Sequence, residues 1–311
     1  GDRRFDTEIE DLTAEAEATQ RRTWADLRDR AAAIDLDGAA LADAVTRALM
    51  IETLDDTIGH IDHRTTELRY DQMDGVVAGL LTAAPQLNAP EPRNALDLVE
   101  RHRRVGTMVD GAIERFRAGL EAGRTPPRIV VDRALHQIDA YLASPLDGDP
   151  FTTFAGPDDW DGEHAWRDEM RDVVETEVRP AVARCAAVLR DELLPAARPD
   201  ETAGLCALAD GDDLYRFLVR SHTGVDLDPG AVHRVGMEEV DRIDEELRHL
   251  GHDLFGTSDL DAVFDRLRSD PACSTRSTPL HSSTSPSSPA ISAASPCRSA
   301  TANSSMPPAC R

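Results

Sequence analysis

The sequence predicts an all-α protein, a multi-helix array or bundle followed by a disordered C-terminal tail. Three observations carry this expectation. Apolar residues recur at intervals of three and four over long stretches, the spacing of one helix face. No alternating run rich in β-branched residues is long enough to support a sheet. The periodicity then stops near Ala272, where the composition changes. Four serines (Ser144, Ser221, Ser258 and Ser269) precede that point and twelve follow it, whereas all 58 Asp and Glu lie at or before Asp270.

Taken in order, helices are predicted over roughly 7–34, 38–84, 91–122 and 128–143, with breaks at Pro85, at Pro90 and Pro92, and at Pro126-Pro127. The segment 144–162, with Pro145, Pro150, Gly156 and Pro157, reads as the longest loop. From Arg171 to Leu194 the residues Val174, Val178, Val182, Cys185, Leu189 and Leu193 form one stripe, and Pro180 inside it predicts a kink or a restart. A further stripe from Pro229 to Leu250 contains Val232, Gly236, Val240, Ile243, Leu247 and Leu250. Asp228 suits its N-cap and Pro229 its first helical position. Ser258, with Asp261 three residues on, predicts the cap of a short helix carrying Leu260, Val263, Phe264 and Leu267.

Residues 1–271 are therefore expected to form a helical domain, and 272–311 a tail too poor in large apolar side chains to offset its ordering entropy. The tail reads either as a genuine linker or stalk or, preferably, as out-of-frame translation. In a GC-rich, Asp-rich gene, GTC-GAC read one base late yields Ser and Thr codons. Loss of acids and arrival of Ser, Thr, Pro and stray Cys then follow together.

The formal net charge is −24, and only Arg276, Arg298 and Arg311 of the 34 basic residues lie in the tail, so the body is more acidic still. Such a surface repels nucleic acid and anionic membrane. The absence of lysine fits either adaptation to high salt or an ordinary acidic protein of a GC-rich bacterium. No apolar run approaches the roughly 18 residues of a membrane span, and no apolar leader opens the chain, so a cytoplasmic location is expected. The chain begins with Gly1 rather than Met, which leaves a cleaved leader open.

Candidate chemistry is sparse. His60 and His63, with Asp62 between them, could share a helix face, and His249 and His252 have the same spacing around Gly251, where a helix end is expected. Two imidazoles fall short of a zinc site, and neither pair has a general-base Glu at the required offset. Solvated surface histidines are the expected reading of both pairs. The acidic loop Asp158-Asp159-Trp160-Asp161-Gly162-Glu163 fails as an EF-hand, because Pro157 would fall at its first ligand position. None of the four body serines sits in a Gly-x-Ser-x-Gly elbow. Cys185 and Cys206 read as a core or surface thiol each, with no disulfide framework.

A resemblance enters with an ordered set of motifs. They are Phe116-Arg117-Ala118-Gly119-Leu120, then Gly123-Arg124-Thr125-Pro126-Pro127-Arg128-Ile129-Val130-Val131, then Arg179-Pro180-Ala181 and Glu192-Leu193-Leu194-Pro195-Ala196-Ala197-Arg198. Leu214-Tyr215-Arg216, Ser221-His222-Thr223, Leu227-Asp228-Pro229 and Val232-His233-Arg234-Val235-Gly236-Met237-Glu238-Glu239-Val240 complete it. Together they resemble, over roughly 5–270, the N-terminal half of domain-of-unknown-function family 885, large helical proteins regarded as zincin-like metallopeptidases. The resemblance implies a zinc site, a His-Glu motif followed closely by Pro-Gly-His, in a C-terminal half. This chain has neither motif; Pro229-Gly230-Ala231-Val232-His233 displaces the histidine. No catalytic, cofactor-binding or metal residue is therefore carried over. The sequence reads as a truncated, inactive member of a metallopeptidase-like family, with zinc and a peptide substrate implied only for intact relatives. The alternative is a helical binding or scaffold module. Exposed apolar helix faces would favour self-association.

Overall fold

The structure, a computed structural model, describes residues 3–269; the expected tail lies outside the described residues. Among these residues there are no strands, only isolated bridges pairing Asn88 with Ala155 and Pro127 with Arg198. The all-α expectation is met. The described residues divide into two compact units, one up to Val235 and one from Gly236.

In the first unit, α1 (Ala14–Ala32) starts where Thr13 Oγ1 accepts the Ala16 N–H. The single helix expected over 38–84 is two. α2 (Leu41–Asp62) stops at His63, and Arg64 takes a left-handed conformation, φ 52°. The cause is distant in sequence. Arg124 donates from its two terminal nitrogens to the Arg64 and His63 carbonyls, at 2.8 and 3.0 Å. It thereby satisfies the His63 carbonyl and shares the Arg64 carbonyl with the Glu67 N–H, so the chain can leave the helix there without an orphaned acceptor. A short 3-10 turn, Thr65–Leu68, leads on to α3 (Val76–Ala83). The helix expected over 91–122 likewise divides at Arg104 into α4 (Pro92–Arg103) and α5 (Val105–Glu121). α6 (Arg128–Ala143) begins directly after Pro127, as expected.

The next helix starts earlier than its stripe suggested and does not restart at proline. α7 (Glu163–Val173) passes through a π turn (Val174–Val178) into α8 (Arg179–Val188), then through a second π turn (Leu189–Leu193) into α9 (Leu194–Ala196). Each wide turn lies just ahead of a proline, Pro180 and Pro195. Widening the turn relieves the clash between a proline ring and the carbonyl four residues back, so the helix continues. α10 (Gly211–Thr223) occupies a stretch to which the sequence reading assigned no element.

The core forms where α5, α6 and α8 face one another. Val109, Phe116, Val131, Ile138, Val182 and Leu189 are all buried there. A smaller cluster joins α4 to α7 through Leu98, Val99, Trp166 and Met170. The motif arginines turn out to be internal anchors. Arg179 pairs with the buried Asp149 at 2.8 Å and donates to the Ser144 carbonyl. Arg198 donates to the carbonyls of Thr125, Thr202 and Ala203.

α11 (Pro229–Phe255) opens as expected, with Asp228 Oδ1 accepting the Ala231 N–H at 2.9 Å. It does not end at Gly251. In the second unit the helix runs on to Phe255, because Gly251 is where Val263 of α12 (Leu260–Ser269) packs; a Cβ there would collide with that valine. The α12 cap is Asp259, whose Oδ1 accepts the Asp261 N–H at 3.2 Å, rather than Ser258. Most of the α11 stripe is uncovered: Val232, Val240, Ile243 and Leu250 are exposed.

Candidate functional site

A cleft of about 620 Å³ lies in the first unit between α1, α2 and α10. That volume is in the range of small-ligand sites. Its apolar wall comes from Leu12, Trp24, Ile61, Leu68, Leu214 and Leu218. Its titratable groups are the carboxylates of Glu10, Asp11, Glu17 and Asp74, with Arg69, His60 and His222. Arg69 is partly committed to Glu10, 3.6 Å away.

A largely buried charge chain runs on from the cleft residue Glu17. Glu17 of α1 pairs with Arg115 of α5 at 3.0 Å, and Arg115 lies 3.4 Å from Glu67. Glu67 pairs with Arg124 at 3.0 Å. Arg124 Nε lies 3.3 Å from Asp210 but in poor hydrogen-bond alignment, so that contact adds attraction more than direction. Glu67 and Arg124 are each only 2 % exposed, so each charge depends on the other.

The histidine pair predicted on one face of a helix meets α10. His60 touches Phe217 edge-on, with ring centroids 5.0 Å apart, and His63 stacks on the same ring at 4.5 Å. Gly59 makes room, since a Cβ there would strike the Phe217 ring. His60 Nδ1 lies 3.2 Å from Thr65 Oγ1. That hydroxyl gives its proton to the His60 carbonyl, 3.1 Å away, so it can only accept from Nδ1–H. Nε2 is left as the acceptor facing Ser221 Oγ at 3.4 Å. Burial lowers the His60 pKa, Asp56 opposes that, and His222, Arg69 and His63 reinforce it.

Ser221 beside His60 invites a nucleophile–base reading, and the geometry speaks against it. The nearest carboxylate, Asp56, approaches the same nitrogen as the serine, Nε2, at 3.8 Å, instead of orienting the opposite one. Ser221 also sits in the last turn of α10, where free carbonyls disfavour a developing oxyanion. His60 Nδ1 is engaged by Thr65, and two imidazoles are fewer ligands than a zinc site takes. Among the described residues no three His, Cys, Asp or Glu side chains converge as a metal would require.

The other candidates stand apart. His249 and His252 are exposed on α11, beside Glu245 and Asp253 respectively. Asp158, Asp159 and Asp161 face solvent, while Trp160 of the same loop packs on Trp166. Cys185 is buried, which pushes its thiol up to about 12, and Cys206 is exposed. Ser144 serves Arg179 and the Tyr141 carbonyl. Sequence reading missed Trp24, Thr65, Phe217 and the place of His222. The 214, 217, 218, 221 spacing between Gly211 and Gly224 was a helix signal available for α10.

Fold and cleft together define a class: an all-helical protein with a ligand-sized cleft and, among the described residues, no helix long and apolar enough to cross a membrane. Within that class the chain belongs to the family described as "Bacterial protein of unknown function (DUF885)", whose model matches residues 1–284, past the composition break at Ala272. Among solved structures the chain is similar to a protein of Colwellia psychrerythraea described as a "putative lipoprotein", with a TM-score of 0.73 and 18 % identity. The match covers 86 % of this chain and 48 % of that one, so the chain spans about half the length of its solved relative. No curated protein matches the sequence.

Proposed function

We propose that residues 1–271 act as a binding module, the N-terminal half of a metallopeptidase-like architecture, and that this chain is not itself a hydrolase. The cleft would receive a ligand with an apolar body and a cationic head, a short peptide with a free amino terminus being the simplest. One observation carries this reading. The cleft joins an aromatic and aliphatic wall, Trp24 with Leu12 and Ile61, to four carboxylates, of which Glu10 faces Arg69 and Glu17 faces Arg115. A desolvated ammonium gains from both an indole face and a carboxylate. The half-length match to the solved relative supports the placement within a larger architecture. The exposed α11 stripe supports association through that face, with a second copy or with further sequence.

Calorimetric titration with Leu-Leu-amide and with its N-acetylated form tests the ligand class. The free amine should bind, the acetylated form should not, and Trp24→Ala should abolish binding. Equal binding of the two forms, or none of either, sinks it. Zinc after dialysis should be well below one ion per chain and peptidase activity at background. Near-stoichiometric zinc lost in His60→Ala with His63→Ala would instead make this half a metal domain. For the tail, family-like sequence in another frame beyond codon 272 would favour the frameshift reading. We further propose a cytoplasmic location, which cell fractionation sets against the lipoprotein location that the relative's description suggests.

A further inference from the structure

From Val240 to Leu254 of α11 the apolar residues advance by 3, 4, 3 and 4, two full heptads, and Gly236 stands one step earlier in the same series. Val240, Ile243, Leu247, Leu250 and Leu254 thus hold the seam positions that a second helix packs against in a coiled coil. The seam is open. Val240 is 50 % exposed, Leu250 54 % and Leu254 70 %, and of the five only Leu247 is half-buried. Near the C-terminal end, Val263 of α12 meets Gly251 on one border and leaves Leu250 and Leu254 uncovered.

The residues bordering the seam decide what can lie on it. The charged ones are Glu239, Asp244, Glu246 and Asp253, all acidic, with Met237 and Gly251 at the remaining border positions. Arg242 of the same helix bridges Glu239 and Glu246, while Asp244 has Arg248 at 3.8 Å and Asp253 has His252 at 3.4 Å. These are exposed pairs within one helix, weak enough to be exchanged for the charges of a partner. A second copy laid parallel would set Glu239 against Asp244, and an antiparallel copy would set each acidic border against itself. Repulsion opposes the apolar gain in both arrangements, so pairing with itself is selected against.

We propose that α11 docks an amphipathic helix of another polypeptide, one whose apolar seam is bordered by Lys or Arg, on the reading of this face as an association surface. Charge complementarity selects that occupant. A cationic border turns each of the repulsive pairings into an attractive one, and border charges are what set partner choice in paired helices. The apolar seam supplies the affinity, because five aliphatic side chains leave water together. The chain's own sequence beyond Ser269 is free of acids but offers only Leu280, Ile291 and Met306 as large aliphatic residues, far from heptad spacing. It lacks the seam that the docked helix needs.

The test titrates the full chain into fluorescent peptides of about three heptads, followed by anisotropy. One peptide has Leu at the seam and Lys at the border, a second has Glu at the border, and a third is the Lys peptide scrambled. In dilute buffer the Lys-bordered peptide should bind at least about tenfold more tightly than either control. Ile243→Asn should weaken it at least about tenfold. Asp244→Asn should narrow its advantage over the scrambled peptide. Glu238→Gln, which removes the same charge from the opposite face of α11, should leave that advantage unchanged. Equal binding of the ordered and scrambled Lys peptides, or equal effects of Asp244→Asn and Glu238→Gln, would reduce the attraction to overall charge and overturn the proposal. Sedimentation velocity at low salt should show a monomer, and a dimer lost in Ile243→Asn would make a second copy the occupant instead. Circular dichroism establishes that the variants fold. Binding of no peptide removes the association reading and this proposal together, whereas equal binding of the Lys- and Glu-bordered forms removes this proposal and leaves the association surface standing. The cleft titration is untouched by either result.

Discussion

Two helices of this chain carry His-x-x-His near their C-terminal ends, and they make opposite use of it. At the end of α2, His60 and His63 grip Phe217, and Arg124 holds the carbonyls that follow. Near the end of α11, His249 and His252 stand in solvent around Gly251, where an added Cβ would first meet Thr257 and Val263 of the turn and helix that follow. The spacing is identical and the surroundings differ. A histidine pair acquires a role from what crosses it, here a phenylalanine more than a hundred residues away. Solvated histidines are the right description for one pair and the wrong one for the other.

The contrast can be broken most forcefully at Arg124. Changing Arg124 to Ala removes the nearest partner of the buried Glu67 carboxylate and leaves it to Arg115 at 3.4 Å and Arg64 at 3.7 Å, so the loss should stay below the roughly 3–5 kcal/mol of a fully unpaired buried charge. Urea unfolding should register it, and a loss below about 1 kcal/mol would mean that water satisfies Glu67 instead. Gly59→Ala comes next, with a loss of about 1–3 kcal/mol from overpacking against Phe217. Phe217→Ala should suppress most of that loss in a double-mutant cycle, whereas simple additivity would place the clash elsewhere.

A smaller effect is expected with pH. The folded-state pKa of His60 is lowered, so its contribution is intact above about pH 6.5 and lost as the pH falls below that value. His60→Gln should flatten this part of the stability profile, and His249→Gln should leave it alone. Smallest of all, His249→Ala and His252→Ala should change stability by less than about 0.5 kcal/mol each. A larger loss on thermal unfolding would show that the α11 end is covered after all.

How far the sequence could be read follows the same division. Local signals worked: Asp228 caps α11, Pro127 precedes α6, and the apolar stripe marks the helix through Val182. What failed was whatever a distant residue decides. Nothing between residues 38 and 84 announces that Arg124 will end α2, and nothing near Gly251 announces Val263. The cleft was invisible for the same reason, since Trp24, His60 and His222 come from three separate helices. The absence of a zinc motif was legible, because such motifs are local. The role of the motif arginines was not, because Arg124, Arg179 and Arg198 act on carbonyls far along the chain or across a loop.

The two π turns have a consequence beyond tolerating proline. From Val174 to Leu193 the stripe advances by 4, 4, 3, 4 and 4 residues, about 3.8 per turn against the 3.6 of an ideal helix. A strictly regular helix would let such a face drift around its axis by roughly 20° per turn. The wide turns absorb the surplus, and Val174, Val178, Val182, Cys185, Leu189 and Leu193 all remain within 3 % exposure. This helix therefore carries slack at two defined places. A single deletion within 174–178 has a wide turn that can tighten to receive it, whereas one within 181–188 must swing half the buried face toward water.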